Sequence, residues 1–85
     1  MSKIEIYTRN ACTPCDRAKE FFKSKNLAFS EYNVWENPHY LDEMLIRSNG
    51  QRTMPQIFIN NKHIGGFHDL KTLIEKCIFE TMIDS

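Results

Sequence analysis

Apolar positions along this chain switch repeatedly between strand and helix periods. Lys3-Ile4-Glu5-Ile6-Tyr7-Thr8 is a β-branched and aromatic run that predicts a strand. From residue 13 to about 25, Cys15, Ala18, Phe21 and Phe22 recur at helical spacing with charged residues between them. Phe29 to Val34 reads as a second strand. Asn37-Pro38 then opens a helix, Asn as N-cap and Pro at its first position; Leu41, Met44 and Leu45 form its stripe, and Asn49-Gly50 ends it. Gln56-Ile57-Phe58-Ile59 and Lys62-His63-Ile64-Gly65 are two short strands, and the Asn60-Asn61 pair between them tolerates positive φ, so a tight hairpin follows. Leu70, Leu73, Ile74, Cys77 and Ile78 give a last helix, with His68 or Asp69 near its cap. The order is βαβαββα, an α/β chain with one small sheet carrying helices.

Composition narrows the class. The 85 residues, 1–85, are expected to make one domain, with a radius of gyration of about 12 Å. Apolar residues at 41% and charged residues at 26% fit a globular protein and exclude simple disorder. Eleven basic and eleven acidic residues balance, which argues against a nucleic-acid binder. No apolar run approaches the roughly 20 residues of a bilayer span, and Met1-Ser2-Lys3-Ile4-Glu5 lacks a signal-peptide core. Three cysteines, two of them three apart, do not make a secreted disulfide scaffold. A cytoplasmic protein whose cysteines do chemistry is expected, with no membrane partner.

Cys12-Thr13-Pro14-Cys15 constrains function most. It follows the first strand and occupies the first turn of a helix. Cys12 near the N-cap faces free backbone N–H groups and the positive end of the helix dipole. Both favour thiolate, so its pKa should fall below the free value of about 8.5. Pro14 is tolerated in that turn but removes one possible donor to the Cys12 sulfur. The Cys15 N–H and thiol are left to stabilise it, with the Thr13 hydroxyl as a further candidate. Cys15 lies on the stripe of Ala18 and Phe22. Cys12 therefore reads as the exposed attacking sulfur and Cys15 as the sheltered resolving one. Their Cβ atoms at i and i+3 come within about 5–6 Å, close enough to bridge. A disulfide closing so small a ring constrains the unfolded chain little and exchanges readily, which suits a redox catalyst.

Other readings of these residues stay open. Cys12 and Cys15 could be half of a zinc site completed by His63 and His68, but the 47 residues between Cys15 and His63 far exceed the roughly 12–15 of a zinc finger. No metal is expected. Cys77, on the last helix's stripe, reads as a small buried hydrophobe, with a regulatory or dimerising thiol as the alternative. His39 and His63 read as surface residues, and Trp35 as core or rim. Arg9 and Arg52 are solvated charges, or else hold a substrate carboxylate and help to lower the Cys12 pKa.

Taken together, Tyr7-Thr8-Arg9, Cys12-x-x-Cys15, Thr53-Met54-Pro55-Gln56-Ile57-Phe58-Ile59, His63-Ile64-Gly65-Gly66-Phe67 and Asp69-Leu70 resemble the glutaredoxin pattern, in order and over about residues 3–78. The chain is most similar to small dithiol glutaredoxins of bacterial or phage type. The resemblance implies a thioredoxin-like fold, a four-stranded mixed sheet flanked by three helices, with Pro55 cis. It implies glutathione as co-substrate in a groove between the Thr53-Met54-Pro55 turn and the last helix. The Met54 backbone would lie antiparallel to the substrate's cysteinyl residue beside Cys12, and Arg9, Thr13 and Pro14 would line the site. Gly66, the Phe67 and His68 N–H groups and the Asp69 side chain would take the γ-glutamyl end, Asp69 pairing with its ammonium. The family's usual Pro-Tyr between the cysteines is Thr13-Pro14 here, which removes an aromatic ring; Pro14 is similar to the thioredoxin arrangement. His68 stands where the family often carries Ser, Thr or Asp.

The implied activity is glutathione-dependent reduction of protein disulfides and glutathione mixed disulfides through Cys12 and Cys15, by a monomer. Partners would be glutathione and disulfide-containing or glutathionylated proteins, ribonucleotide reductase among the candidates. Alternatives are a thioredoxin-like reductant recharged by thioredoxin reductase, an iron–sulfur cluster carrier with glutathione ligands, and an inert interaction domain.

Overall fold

A computed structural model describes residues 2–83. In chain order the elements are β1 (Ile4–Thr8), α1 (Thr13–Ser24), β2 (Ser30–Asn33), α2 (Pro38–Arg47), β3 (Gln56–Ile59), β4 (Lys62–Gly65), α3 (Phe67–Glu75) and α4 (Phe79–Ile83). The strands form one mixed sheet in the order β2-β1-β3-β4. β1 runs parallel to β2 and antiparallel to β3, and β4 is antiparallel to β3. The radius of gyration is 12.0 Å.

All five residues of β1 are buried, because the sheet is covered on both faces. Period-two alternation then sorts the side chains. Ile4 and Ile6 of β1 and Ile57 and Ile59 of β3 pack with Ala18 and Phe22 of α1, Leu70 of α3 and Phe79 of α4. Tyr7 and Phe58 point the other way, to Val34 and Met44 under α2. Thr8 donates to the Glu31 carboxylate at 2.8 Å, and Lys19 of α1 reaches the same oxygen at 2.9 Å, tying α1 to the strands beneath it.

The hairpin forms as its residues predict, Asn60 and Asn61 taking φ of 51° and 67°. Helices α1, α2 and α3 all end in one device, a residue with positive φ whose successor's N–H returns to the carbonyl five residues back. Asn26 (φ 57°) and Asn49 (φ 59°) serve α1 and α2, with Leu27 N–H to Phe22 O at 2.9 Å and Gly50 N–H to Leu45 O at 2.7 Å. Cys77 (φ 59°) serves α3, with Ile78 N–H to Leu73 O at 2.9 Å.

That last turn corrects two expectations. The helical spacing through Cys77 and Ile78 does not continue one helix; the chain reverses at Cys77 and starts α4, so among the described residues four helices flank the sheet rather than three. Cys77 is consequently exposed rather than part of a buried stripe. Trp35, 59% exposed, belongs to the rim.

Charge enters the face beneath α2. Glu5, only 4% exposed, accepts two hydrogen bonds from Arg47, at 2.9 and 3.2 Å, and one from the Tyr32 hydroxyl at 3.0 Å. Arg47 also donates to the Tyr7 hydroxyl at 2.9 Å, which donates to Glu43 at 2.7 Å. The guanidinium lies 4.1 Å from the Phe58 ring centroid. Burial alone would raise the Glu5 pKa, but the hydrogen bonds from Arg47 and Tyr32 outweigh it and hold the carboxyl below its ordinary value. Burial pushes the Tyr7 phenol up to about 12.

Stability should therefore fall at both ends of the pH scale. The contribution of Glu5 is present above the unfolded carboxylate pKa of about 4.3 and is lost as pH falls through the lower folded value. That of Tyr7 is present below the unfolded phenol pKa of about 10 and is lost as pH rises towards 12. Arg47→Met strips both guanidinium hydrogen bonds from buried Glu5, leaving the largely exposed Lys3 at 3.9 Å as its cation, and should cost about 3 kcal/mol at neutral pH and shrink the Glu5 share of the acid limb. Denaturant titrations across pH measure this; equal losses for the variant at every pH would contradict it.

Candidate active site

Sheet register brings three separated segments to one end of the molecule. Tyr7 of β1 pairs with Gln56 of β3, so the chain leaving β1 towards Cys12 lies beside the turn that ends in Pro55. Ile57 pairs with Gly65, which puts the start of α3 at the same level. A Cβ on Gly66 would sit 3.5 Å from the Pro55 carbonyl oxygen.

Cys12 is the N-cap of α1, with extended backbone at φ −121° and ψ 99°. Its sulfur accepts the Cys15 N–H at 3.2 Å, so the expected N–H contact is present. Cys12 and Cys15 form a disulfide, with Cα atoms 5.2 Å apart. Pro14 occupies the first turn, where no intrahelical donor is lost, and both Thr13 and Pro14 are exposed.

One expectation changes. Cys12 is not exposed; it shows 2% of its surface and Cys15 shows 1%. Cys15 lies on the inner stripe of α1 with Ala18 and Phe22, and a sulfur bonded to it is drawn towards the core. The two cysteines differ by place on the helix, cap against third position, rather than by exposure.

The loop before Cys12 is braced. Arg9 Nη1 donates to the carbonyls of Asn10 and Ala11, each at 3.0 Å, and Asn33 donates to the Asn10 side chain at 2.8 Å. Ala11 takes φ of 52°. The Arg9 guanidinium also lies 5.8 Å from the Trp35 ring centroid. Arg9, Thr53 and Met54 share a shallow cleft of about 490 Å³ with Val34, Trp35, Leu41 and Arg52.

The Met54–Pro55 peptide is cis, as the resemblance implies. Gly66 caps α3 without a side chain to accept from the first N–H groups, those of Phe67 and His68. Asp69 instead accepts the Gly66 N–H at 3.0 Å. His68 and Asp69 border a groove with Lys62, His63, Ile64 and Thr72, separate from the Arg9 cleft. The segments meet at one end of the sheet, but their side chains line two depressions. Among the described residues no cluster of three or more His, Cys, Asp or Glu is placed to hold a metal ion.

Two residues at this end, Gln56 and His63, are not among the substrate-site residues that the sequence implies. Gln56 is fully buried and bonds to the Thr53 carbonyl at 2.9 Å. His63 is not a simple surface residue: its Nε2 is 2.7 Å from Gln56 Oε1, and its ring stacks on Phe58 at 4.9 Å. A polar residue leading an otherwise apolar strand directly after a proline was the available signal.

The family model described as Glutaredoxin matches residues 4–64. Glutaredoxin 3 of Escherichia coli K12 is 45% identical over 73 residues, covering 86% of this chain and 87% of that protein. A probable glutaredoxin of Synechocystis is 43% identical over 72 residues, covering 85% and 82%. The solution structure of glutaredoxin from Brucella melitensis superposes with a TM-score of 0.79 at 36% identity, covering 95% of this chain and 87% of that one. A buckwheat glutaredoxin–glutathione complex, at 22% identity, shares the fold with a TM-score of 0.86, over 98% and 77%.

Gly65 gives the test of this corner. Its φ is +116°, and an added Cβ would fall 2.8 Å from Asp69 Cγ. Gly65→Ala should destabilise the protein by about 2 kcal/mol in denaturant unfolding. Adding Asp69→Ala should recover only part, since the backbone conformation still disfavours a side chain. A neutral Gly65→Ala would contradict this packing.

Proposed function

The chain belongs to the glutaredoxin family and is a thiol–disulfide oxidoreductase; on that premise we propose that it uses glutathione to reduce glutathione mixed disulfides and protein disulfides. The observation that carries this reading is the Cys12–Cys15 pair, joined across the first turn of α1 with the Cys12 sulfur accepting a helix N–H.

In the dithiol state that N–H and the helix dipole stabilise negative charge on Cys12, making it the nucleophile. Cys12 thiolate attacks the glutathione sulfur of a mixed disulfide; the old S–S bond breaks, the substrate leaves as thiolate, and Cys12 carries glutathione. A second glutathione thiolate then attacks that adduct, releasing glutathione disulfide and restoring Cys12. With a protein disulfide, Cys12 forms the mixed disulfide and Cys15 attacks the Cys12 sulfur. The substrate leaves with both its sulfurs reduced, and two glutathiones return the Cys12–Cys15 disulfide to the dithiol.

Glutathione recognition draws on the segments gathered at this end of the sheet. Arg9 supplies positive charge for a carboxylate, the Thr53-Met54 backbone offers strand-like pairing, and Thr13 and Pro14 border the cysteines. At α3, the Phe67 and His68 N–H groups beyond Gly66 suit the γ-glutamyl carboxylate, with Asp69 for the ammonium. The Asp69 carboxylate already accepts the Gly66 N–H, so it meets that ammonium in a fixed position. One chain suffices for this chemistry, and we place the protein in the cytoplasm as a monomer domain with glutathionylated and disulfide-containing proteins as substrates; ribonucleotide reductase fits that class.

Pro14, exposed before Cys15 in place of the family's aromatic residue, favours a second reading with thioredoxin reductase as electron donor. Turnover of a glutathionylated peptide separates the two. Glutathione with glutathione reductase should sustain it and thioredoxin reductase should not; the reverse would overturn the glutathione reading. Cys12→Ser should abolish all activity, while Cys15→Ser should keep deglutathionylation and lose reduction of protein disulfides. Equal loss in both variants would contradict the division of roles.

A further inference from the structure

We propose that Gln56 and His63 are positioning residues that aim the Thr53–Met54 peptide at the substrate, an inference resting on the reading that this turn receives the glutathionyl backbone. Gln56 follows Pro55 directly, and its side chain is fully buried. Its amide nitrogen donates to the Thr53 carbonyl at 2.9 Å, to Thr53 Oγ1 at 3.1 Å and, more weakly, to Gln51 Oε1 at 3.4 Å. Its amide oxygen lies 2.7 Å from His63 Nε2.

These partners fix the amide's direction and the imidazole's tautomer. A backbone carbonyl only accepts, so the Gln56 end facing Thr53 O is the NH₂ group. The oxygen therefore faces His63, and Nε2 must carry the proton that joins them. The ring is held for this by stacking on Phe58, at 4.9 Å and 29° between planes, and Phe58 is the register partner of His63 across the β3–β4 pairing. Phe58 is in turn covered by the Arg47 guanidinium at 4.1 Å.

The consequence for the site follows from peptide planarity. The Thr53–Met54 bond is trans, so the Thr53 C=O and the Met54 N–H point in opposite directions within one plane. Holding Thr53 O against the buried Gln56 amide aims the Met54 N–H away from it. Met54 lines the cleft that holds Arg9 and Trp35. A donor fixed before substrate arrives needs no ordering on binding, which is where such a device gains affinity.

Four variants test this, with Gln56→Met, Gln56→Glu, His63→Phe and His63→Gln each compared with wild type. Gln56→Met keeps the side chain's length but loses the amide, and should raise KM for a glutathionylated peptide about fivefold to tenfold with kcat within about twofold. Gln56→Glu has no donor for Thr53 O at neutral pH and should behave alike. His63→Phe keeps a ring on Phe58 but loses the proton, and should raise KM about threefold; His63→Gln, which restores a donor, should return it to within about twofold of wild type. Reduction of the Cys12–Cys15 disulfide by dithiothreitol, which needs no backbone pairing, should be unchanged throughout. The Met54 amide resonance and its hydrogen exchange should shift in Gln56→Met and return towards wild type in His63→Gln relative to His63→Phe. That readout holds even if wild type shows no preference for a glutathione mixed disulfide over a hydroxyethyl one, a result that would remove the proposed function alone. An unmoved Met54 amide, or lowered melting temperatures with KM unchanged, would overturn the positioning role.

Discussion

Antiparallel pairing of β1 with β3 is the constraint on which the rest depends. Once Tyr7 sits opposite Gln56, the end of β1 and the beginning of β3 share one edge of the sheet. The chain leaving β1 must turn into α1 there, and the chain entering β3 must pass through the cis Met54–Pro55 peptide beside it. The pairing is secured from both faces, by Ile4, Ile6, Ile57 and Ile59 on one side and by Tyr7 and Phe58 on the other. Chemistry at Cys12 and recognition at Thr53-Met54 are thereby assigned to neighbouring loops on a rigid centre.

The two faces of that centre differ in kind. Beneath α1, α3 and α4 it is aliphatic and aromatic, and tolerates no polar group without a partner. Beneath α2 it contains a carboxylate, a guanidinium and two phenols joined by hydrogen bonds, with Arg47 laid over Phe58. The Gln56–His63 pair continues this polar layer to the turn before Pro55. Polar contacts of fixed direction specify a turn more sharply than apolar packing, which has no preferred angle.

Much of this was legible in the chain. Strands β3 and β4 and their Asn60-Asn61 turn follow from local residue chemistry, as does Cys12 as the cap of α1. The family resemblance supplied the cis Pro55, which local physics alone would not. What escaped depends on partners far away in sequence. The strand-forming run around Glu5 does not reveal its partner Arg47, some forty residues on in the chain. Gln56 and His63 look unremarkable apart and acquire meaning only across the β3–β4 pairing. Cys77 falls at helical spacing, yet the turn that ends α3 runs through it, because spacing alone does not report a reversal of backbone φ. The burial of Cys12 likewise goes with a partner, Cys15, to which it is bonded on the inner side of α1.

On the proposed function, the helix cap rather than exposure sets the reactivity of Cys12. Fully reduced protein treated with limiting iodoacetamide near pH 6, followed by peptide mass analysis, tests it directly. Cys77 is exposed, so accessibility alone gives it no disadvantage against Cys12, whereas the helix cap favours the Cys12 thiolate. Cys12 should be alkylated first, with Cys15 and Cys77 largely unmodified. Labelling of Cys77 ahead of Cys12 would contradict it.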